Sequence, residues 1–198
     1  MTLSDQLLQL KKAIQQIVPI PDDELDAVKD DFVPQEIAKG ELLLEEGRVC
    51  GHLAFVNQGL FKTYLLQDGK EHIRQFIAES GFAIELGSFL TGAPSAFSIE
   101  ALEDSLILKI EARRLNAIFE SSLLYMQLGK ILAESAAVNL TRRSVSLIKD
   151  NATTRYLDFI RERPHLLQRV PQFMIASYLG ISPEALSRIR KELAAGAS

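Results

Sequence analysis

The sequence predicts an α+β chain, with a small antiparallel β-roll in the first half, one long helix after it and a helical pair at the end. Three observations carry this reading. Between Phe32 and Ile110, short pieces rich in β-branched and aromatic residues alternate with turn residues. From about Ser122 to Lys149 a helical periodicity runs on without a proline. Gln172 to Leu193, QFMIASYLGISPEALSRIRKEL, then reads as two short helices around a glycine turn. The expected domains are 1–120, the roll with its flanking helices; 121–150, the long helix and a hinge; and 151–198, the helical pair with its lead-in.

The chain is long enough, at 198 residues, for one large or two small cores, and its 47% hydrophobic and 24% charged content is that of a globular protein. No apolar run approaches the ~18 residues of a membrane span. The opening MTLSDQLLQLKKAI has acids and glutamines where a secretory leader would be apolar, so a cytoplasmic protein without membrane partners is expected. The single cysteine, Cys50, excludes an internal disulfide and an all-cysteine metal cluster within one chain. Net charge is −4, yet its distribution is uneven. Residues 1–140 hold 12 Lys and Arg against 21 Asp and Glu, whereas residues 141–198 hold 10 against 5. An acidic front and a basic rear suit a chain of which only the rear approaches a polyanion.

Taken in order, Leu3, Leu7, Leu10, Ile14 and Ile17 recur at helical spacing, giving an amphipathic helix that ends before Pro19. A short helix follows from Asp22 to about Lys29. Its acids Asp22, Asp23 and Glu24 are accounted for by the helix dipole and need no metal. The β-rich stretch then supplies about six to eight strands, enough for a closed roll. Asp68-Gly69 is its clearest hairpin turn, since both residues tolerate positive φ. Phe82 to Pro94 is too long for a hairpin loop and is expected to hold a short helix, and another short helix spans Arg113 to Phe119.

The long helix carries two apolar stripes. One is Leu124, Leu128, Ile131, Ser135, Val138, Arg142 and Val145; the other is Leu132, Ala136, Leu140, Ser144 and Leu147. Two stripes suggest two partners, the roll for one and a twin helix in a homodimer for the other, although burial within a single subunit would produce the same pattern. The expected dimer contacts are Leu124, Leu128, Ile131, Ser135, Val138 and Val145. Asp150-Asn151 then offers a hinge, and a further helix runs through Arg161 to a stop at Pro164.

In the final pair, Gly180 stands where the first helix must stop, and Ser182-Pro183 is an N-cap followed by proline at the first helical position. Ile175, Leu179, Leu186 and Ile189 form the seam, with Ala176 small enough for a close crossing. Glu184, Ser187, Arg188 and Lys191 are left on the other face of the second helix. Their chemistry suits a DNA groove: Arg can hold guanine O6 and N7 with two bonds, Glu can accept from the cytosine amine, and Ser and Lys suit neighbouring edges or phosphates. A helical hairpin that contacts protein, or is purely structural with a solvated charged face, fits the same residues.

The order of β-roll, long helix and basic helix-turn-helix resembles the Crp/Fnr family of bacterial transcription regulators over essentially the whole chain. GELLLEEGRVCGHLAFVNQGLFKTYLLQDGKEHIRQFI resembles the family's roll, and LTGAPSAFSIEALEDSLILKI resembles the strands after its ligand cassette. Glu184, Ser187 and Arg188 match its E-x-x-S-R recognition pattern. The resemblance implies a double-stranded β-helix of the jelly-roll, cyclic-nucleotide-binding-like type, a dimerisation helix and a C-terminal winged helix-turn-helix. It further implies a homodimer whose twin recognition helices enter successive major grooves of palindromic double-stranded DNA, half-sites about 34 Å apart. Ser182, Glu184, Ser187, Arg188 and Lys191 would be the DNA contacts, a small-molecule effector the cue, and RNA polymerase a further partner.

The ligand cassette departs from that pattern. Cyclic-nucleotide binders of the family resemble F-G-E-L followed by P-R-S/T-A, whose Arg pairs with the cyclic phosphate. Here Glu85 and Leu86 match and Ala96 follows, but Ile84 replaces the glycine and Ser95 replaces the arginine. Without the Arg the charge-assisted grip on the phosphate is lost, so cyclic AMP is not the expected effector. Glu85, Leu86, Ser95 and Ala96 remain the candidate ligand positions. No cofactor or metal is expected: Cys50, His52 and His72 lie in strands or turns and read as structural. No G-x-S-x-G elbow, Walker loop or H-E-x-x-H motif points to an enzyme. The rival reading is a small-molecule sensor whose helical tail contacts protein and not DNA.

Overall fold

The computed structural model describes residues 1–196. Contacts divide the chain into two units, Met1–Leu65 with Gln75–Ser135, and Leu66–Arg74 with Ala136 onward. In the first unit, helix α1 (Leu3–Gln15) starts at a capping box. The Thr2 hydroxyl accepts from the Asp5 N–H at 3.2 Å, and the Asp5 carboxylate accepts from the Thr2 N–H at 2.9 Å and its hydroxyl at 2.7 Å. Helix α2 (Asp22–Val28) follows, with its three acids in the first turn and one further 3-10 turn behind it.

Eight strands form two antiparallel four-stranded sheets: β1 (Val33–Ile37), β2 (Leu42–Leu44), β3 (His52–Gln58), β4 (Phe61–Gln67), β5 (Lys70–Ile77), β6 (Phe82–Ala83), β7 (Ser98–Ala101) and β8 (Ser105–Glu111). Their orders are β1-β8-β3-β6 and β2-β7-β4-β5. One core lies between the sheets, around Ala54, Val56, Phe61, Ile99 and Ile107. A second lies on the outer face of the first sheet, where Leu53, Phe55, Leu108 and Ile110 meet the helices. Strands β3 and β8 are therefore buried on both faces, which is why HLAFV and LILKI read as nearly continuous apolar runs where a half-exposed strand would alternate.

The helices over the second core are α1, α2, α4 (Ala112–Ser121) and the first turns of α5 (Leu123–Lys149). On β4 and β7, Lys62 and Glu100 face each other in register, and the Lys62 ammonium lies 3.2 Å from the carboxylate and 4.5 Å from the Tyr64 ring centroid. A lysine with only 3% of its side chain exposed is tolerated here because a carboxylate and an aromatic face replace the water it loses.

The second unit holds the later half of α5, then α6 (Ala152–Glu162), α7 (Gln172–Leu179) and α8 (Pro183–Gly196). Asn151 caps α6 by accepting from the Thr154 N–H at 2.9 Å, so the expected hinge is also a start signal. The tip of the β4–β5 hairpin, Leu66–Arg74, counts with this unit. Asp68 and Gly69 both have positive φ, 51° and 73°, as its two-residue turn requires. Among the described residues no strand follows β8, and a 3-10 turn at Pro164–Leu166 lies between α6 and α7.

Candidate nucleic-acid interface

Helices α7 and α8 are joined by Gly180, Ile181 and Ser182. Gly180 adopts φ 67° and ψ 37°, and a Cβ there would meet the Leu147 side chain at 3.1 Å. The conformation therefore asks for glycine, while the space would need only a small shift of the Leu147 side chain. Ser182 accepts from the Ala185 N–H at 3.2 Å and starts α8. The seam is fully formed: Ile175, Ala176, Leu179, Leu186 and Ile189 are all buried.

Every carbonyl in the last turn of α7 has a donor. Ala176 accepts from the Gly180 and Ile181 amides, and Ser177 from Gly180. The carbonyl of Tyr178 accepts from the Arg143 guanidinium at 2.7 Å, and that of Leu179 from Arg155 at 2.9 Å. The four groups a helix end leaves unpaired are thus all satisfied. Arg143 also donates to the Ile73 carbonyl at 3.1 Å and lies over the Tyr178 ring, 4.1 Å from its centroid. Burial pushes its pKa down, against the opposing pull of Tyr178. The Ser177 hydroxyl accepts from the Ile73 N–H at 3.0 Å and donates to the Glu71 carbonyl at 2.8 Å.

Sequence reasoning passed over Arg143, Arg155 and Ser177. Two of the ten cations of the basic rear are structural donors at a helix end and not surface charge. A polar Ser177 inside the otherwise apolar run MIASYL was the one available signal.

Ser182 at the cap, and Glu184, Ser187, Arg188 and Lys191 on α8, are all exposed, and on the helix the buried residues are Leu186 and Ile189. Pro183, Glu184, Ser187, Arg188 and Lys191 line one shallow surface recess. The Arg188 side chain is 74% exposed, its guanidinium 4.0 Å from Glu192 one turn on. Glu184 is turned onto its own helix start, where its backbone N–H, and then Ser182, hold the carboxyl below the usual carboxylate range.

The cassette positions are differently placed. Helix α3 (Leu86–Thr91) is capped by Glu85, whose carboxylate accepts from the Ser88 N–H at 2.7 Å and the Gly87 N–H at 3.3 Å. Glu85 is 6% exposed and Ser95 3%. The Ser95 hydroxyl donates to the Phe97 carbonyl at 2.8 Å, closing its own turn. Leu86 is half-buried and Ala96 exposed. The buried Ser88 hydroxyl accepts from the Cys50 N–H at 2.9 Å and donates to the Ala93 carbonyl at 2.5 Å. A carboxylate already occupies the amides to which a phosphate would turn.

The stripe expected to meet a twin helix is split. Leu128 is 5% exposed within its own unit's core, and Leu124 and Ile131 pack half-buried against that core. Leu128 therefore has almost no side-chain surface left for a partner, because the outer core of the first unit takes the first turns of α5. Ser135, Val138 and Val145 are exposed, and Ile148, absent from the expected set, is 88% exposed.

The two sheets and the capped cassette helix form a β-roll, and a helical pair follows in the second unit. Residues 34–122 match the cyclic nucleotide-binding domain family. Over most of its length the chain shares its fold with solved structures of bacterial transcription regulators. FixK2 from Bradyrhizobium japonicum superposes with a TM-score of 0.75 at 18% identity, covering 84% of this chain and 86% of that one. A Crp/Fnr family regulator from Eubacterium rectale gives 0.69 at 17%, covering 90% and 85%. The c-di-GMP responsive regulator CLP of Xanthomonas campestris gives 0.66 at 18%, covering 89% and 93%. No curated protein matches the sequence. Among the described residues no helix is long and apolar enough to cross a membrane.

Proposed function

We propose that the chain is a sequence-specific DNA-binding transcription regulator that acts as a homodimer. The observation that carries this reading is the face of α8: four side chains able to address base edges and phosphates stand exposed, while the opposite side is locked into a seam. Arg188 is the base-reading residue, Glu184 its neighbour on the same groove edge, and Ser182, Ser187 and Lys191 serve phosphates or adjacent edges. Val138, Val145 and Ile148, with Thr141 between them, follow the 3-4-3 spacing of a coiled-coil seam and are the proposed dimer contact. The sensor does not grip a cyclic phosphate, since Glu85 caps α3 and no arginine follows Pro94.

Selection of bound duplexes from a random pool, followed by titration at fixed salt, tests this. The enriched sites should be palindromic, affinity should fall steeply with salt, and Arg188→Ala should cost about 1–3 kcal/mol on the selected site while relaxing one base position. Calorimetry with cyclic AMP and cyclic GMP should show no binding. A pool that yields no enriched sequence, or an Arg188→Ala variant with unchanged affinity and preference, would leave the tail as a protein-contacting module.

A further inference from the structure

We infer that the first unit carries a second ligand site, an apolar cleft for an uncharged small organic molecule, outside the roll and apart from the cassette. The cleft lies between α1, α2, α4 and the first turns of α5, with a volume of about 550 Å³. That is the size of pocket that takes a drug-sized molecule. Its walls include Leu10, Leu25, Phe32, Leu115, Tyr125 and Leu128, all buried core residues that nonetheless leave room between them.

The chemistry of the walls selects the ligand. Tyr125 brings a hydroxyl, but it already donates to the Glu24 carbonyl at 2.9 Å. Lys11 is paired with Asp26 at 2.6 Å, and Asp5 is spent in the capping box. The interior therefore offers contact area and no unspent donor for a polar group, so the gain on binding comes from releasing water from apolar surface. At the rim stand Asp5, Asp26 and Asp30 against Lys11 and Lys29. Lys11 and Asp26 neutralise each other, which leaves Asp5 and Asp30 against Lys29, so the mouth carries a net negative charge that disfavours anions such as a cyclic nucleotide or a fatty-acid carboxylate. What fits is a neutral, mainly apolar molecule whose single polar end sits near Ser4, Lys29 and Asp30. A second protein chain is a poorer occupant, because four helices of one unit converge on a cleft of about 550 Å³, a volume suited to a small molecule. The site does not depend on the DNA reading.

The test uses the full chain and the neutral fluorophore N-phenyl-1-naphthylamine. One saturable site per chain, with enhanced emission and a raised melting temperature, is expected. The anionic analogue 1-anilinonaphthalene-8-sulfonate should bind at least tenfold more weakly. Val28→Trp places an indole on a half-buried wall. It should weaken the neutral probe at least tenfold, and because the native chain has no tryptophan its emission also reports whether the cleft is filled. If Val28→Trp does not fold, Leu7→Phe fills the same space from α1 and is read in the same way. Unchanged probe affinity in a folded filling variant, equal affinity for the anionic analogue, or probe binding that vanishes as the protein concentration is raised would each overturn the proposal, the last by showing that a second copy occupies the cleft.

Discussion

Replacing Arg143 by methionine keeps the length and apolar stem of the side chain but removes its donors and its charge. Two carbonyls, Tyr178 and Ile73, then lose their partner, and the stack over the Tyr178 ring, now 4.1 Å from the guanidinium, is lost with them. A hydrogen bond from a charged donor contributes about 1.5–3 kcal/mol, and a cation–π contact at a part-buried site adds about 1 kcal/mol. Because the two bonds share one guanidinium they do not sum fully, and a loss of about 3 kcal/mol is expected for the second unit. Urea unfolding followed by circular dichroism, with Arg161→Met as the exposed control, measures it. The control should change stability by less than about 0.5 kcal/mol, because its ion pair with Asp158 lies at the surface. If Arg143→Met were no worse than this control, the guanidinium would not be holding the end of α7, and the account of the turn given above would be wrong.

Two further outcomes follow from buried groups of the first unit. Burial pushes the Cys50 thiol up, and its 2% exposure shields it, so a thiol reagent should modify the native chain orders of magnitude more slowly than the urea-unfolded chain; comparable rates would mean a reactive thiol after all. Burial first, and then Lys109, lower the pKa of His52, with Glu111 opposing. A folded pKa below the unfolded value of about 6.5 means the His52 contribution is fully present above that pH and is lost as pH falls through the folded pKa. A stability–pH profile should therefore slope downward below about pH 6.5, and His52→Gln should flatten that part of the curve; an unaltered slope would assign it to other groups.

Most of the fold was legible because its signals are local. The cap at Ser182, the stop at Gly180 and the Asp68-Gly69 turn each act within a few residues, and the structure has them where the sequence reading put them. What stayed hidden depends on partners far away in sequence. Periodicity marks Leu124, Leu128 and Ile131 as one face of α5 but cannot say that Leu128 is buried, and Leu124 and Ile131 half-buried, against the core beneath α1, α2 and α4. Ser177 and Glu71 are 106 positions apart, and Arg143 reaches Ile73 across 70. Glu85 was recognisable as a match to a ligand motif, yet its role as the cap of α3 rests on a backbone geometry that the motif does not encode.

The fully satisfied end of α7 sets the thermodynamics of whatever α8 touches. With no carbonyl waiting for a donor and no residue of the turn free to choose another conformation, the angle at which α8 is presented is fixed before any encounter. Association at this face should then involve no folding step, and its heat-capacity change should reflect only the surface covered and the water and ions displaced, without the larger negative increment that ordering a segment would add.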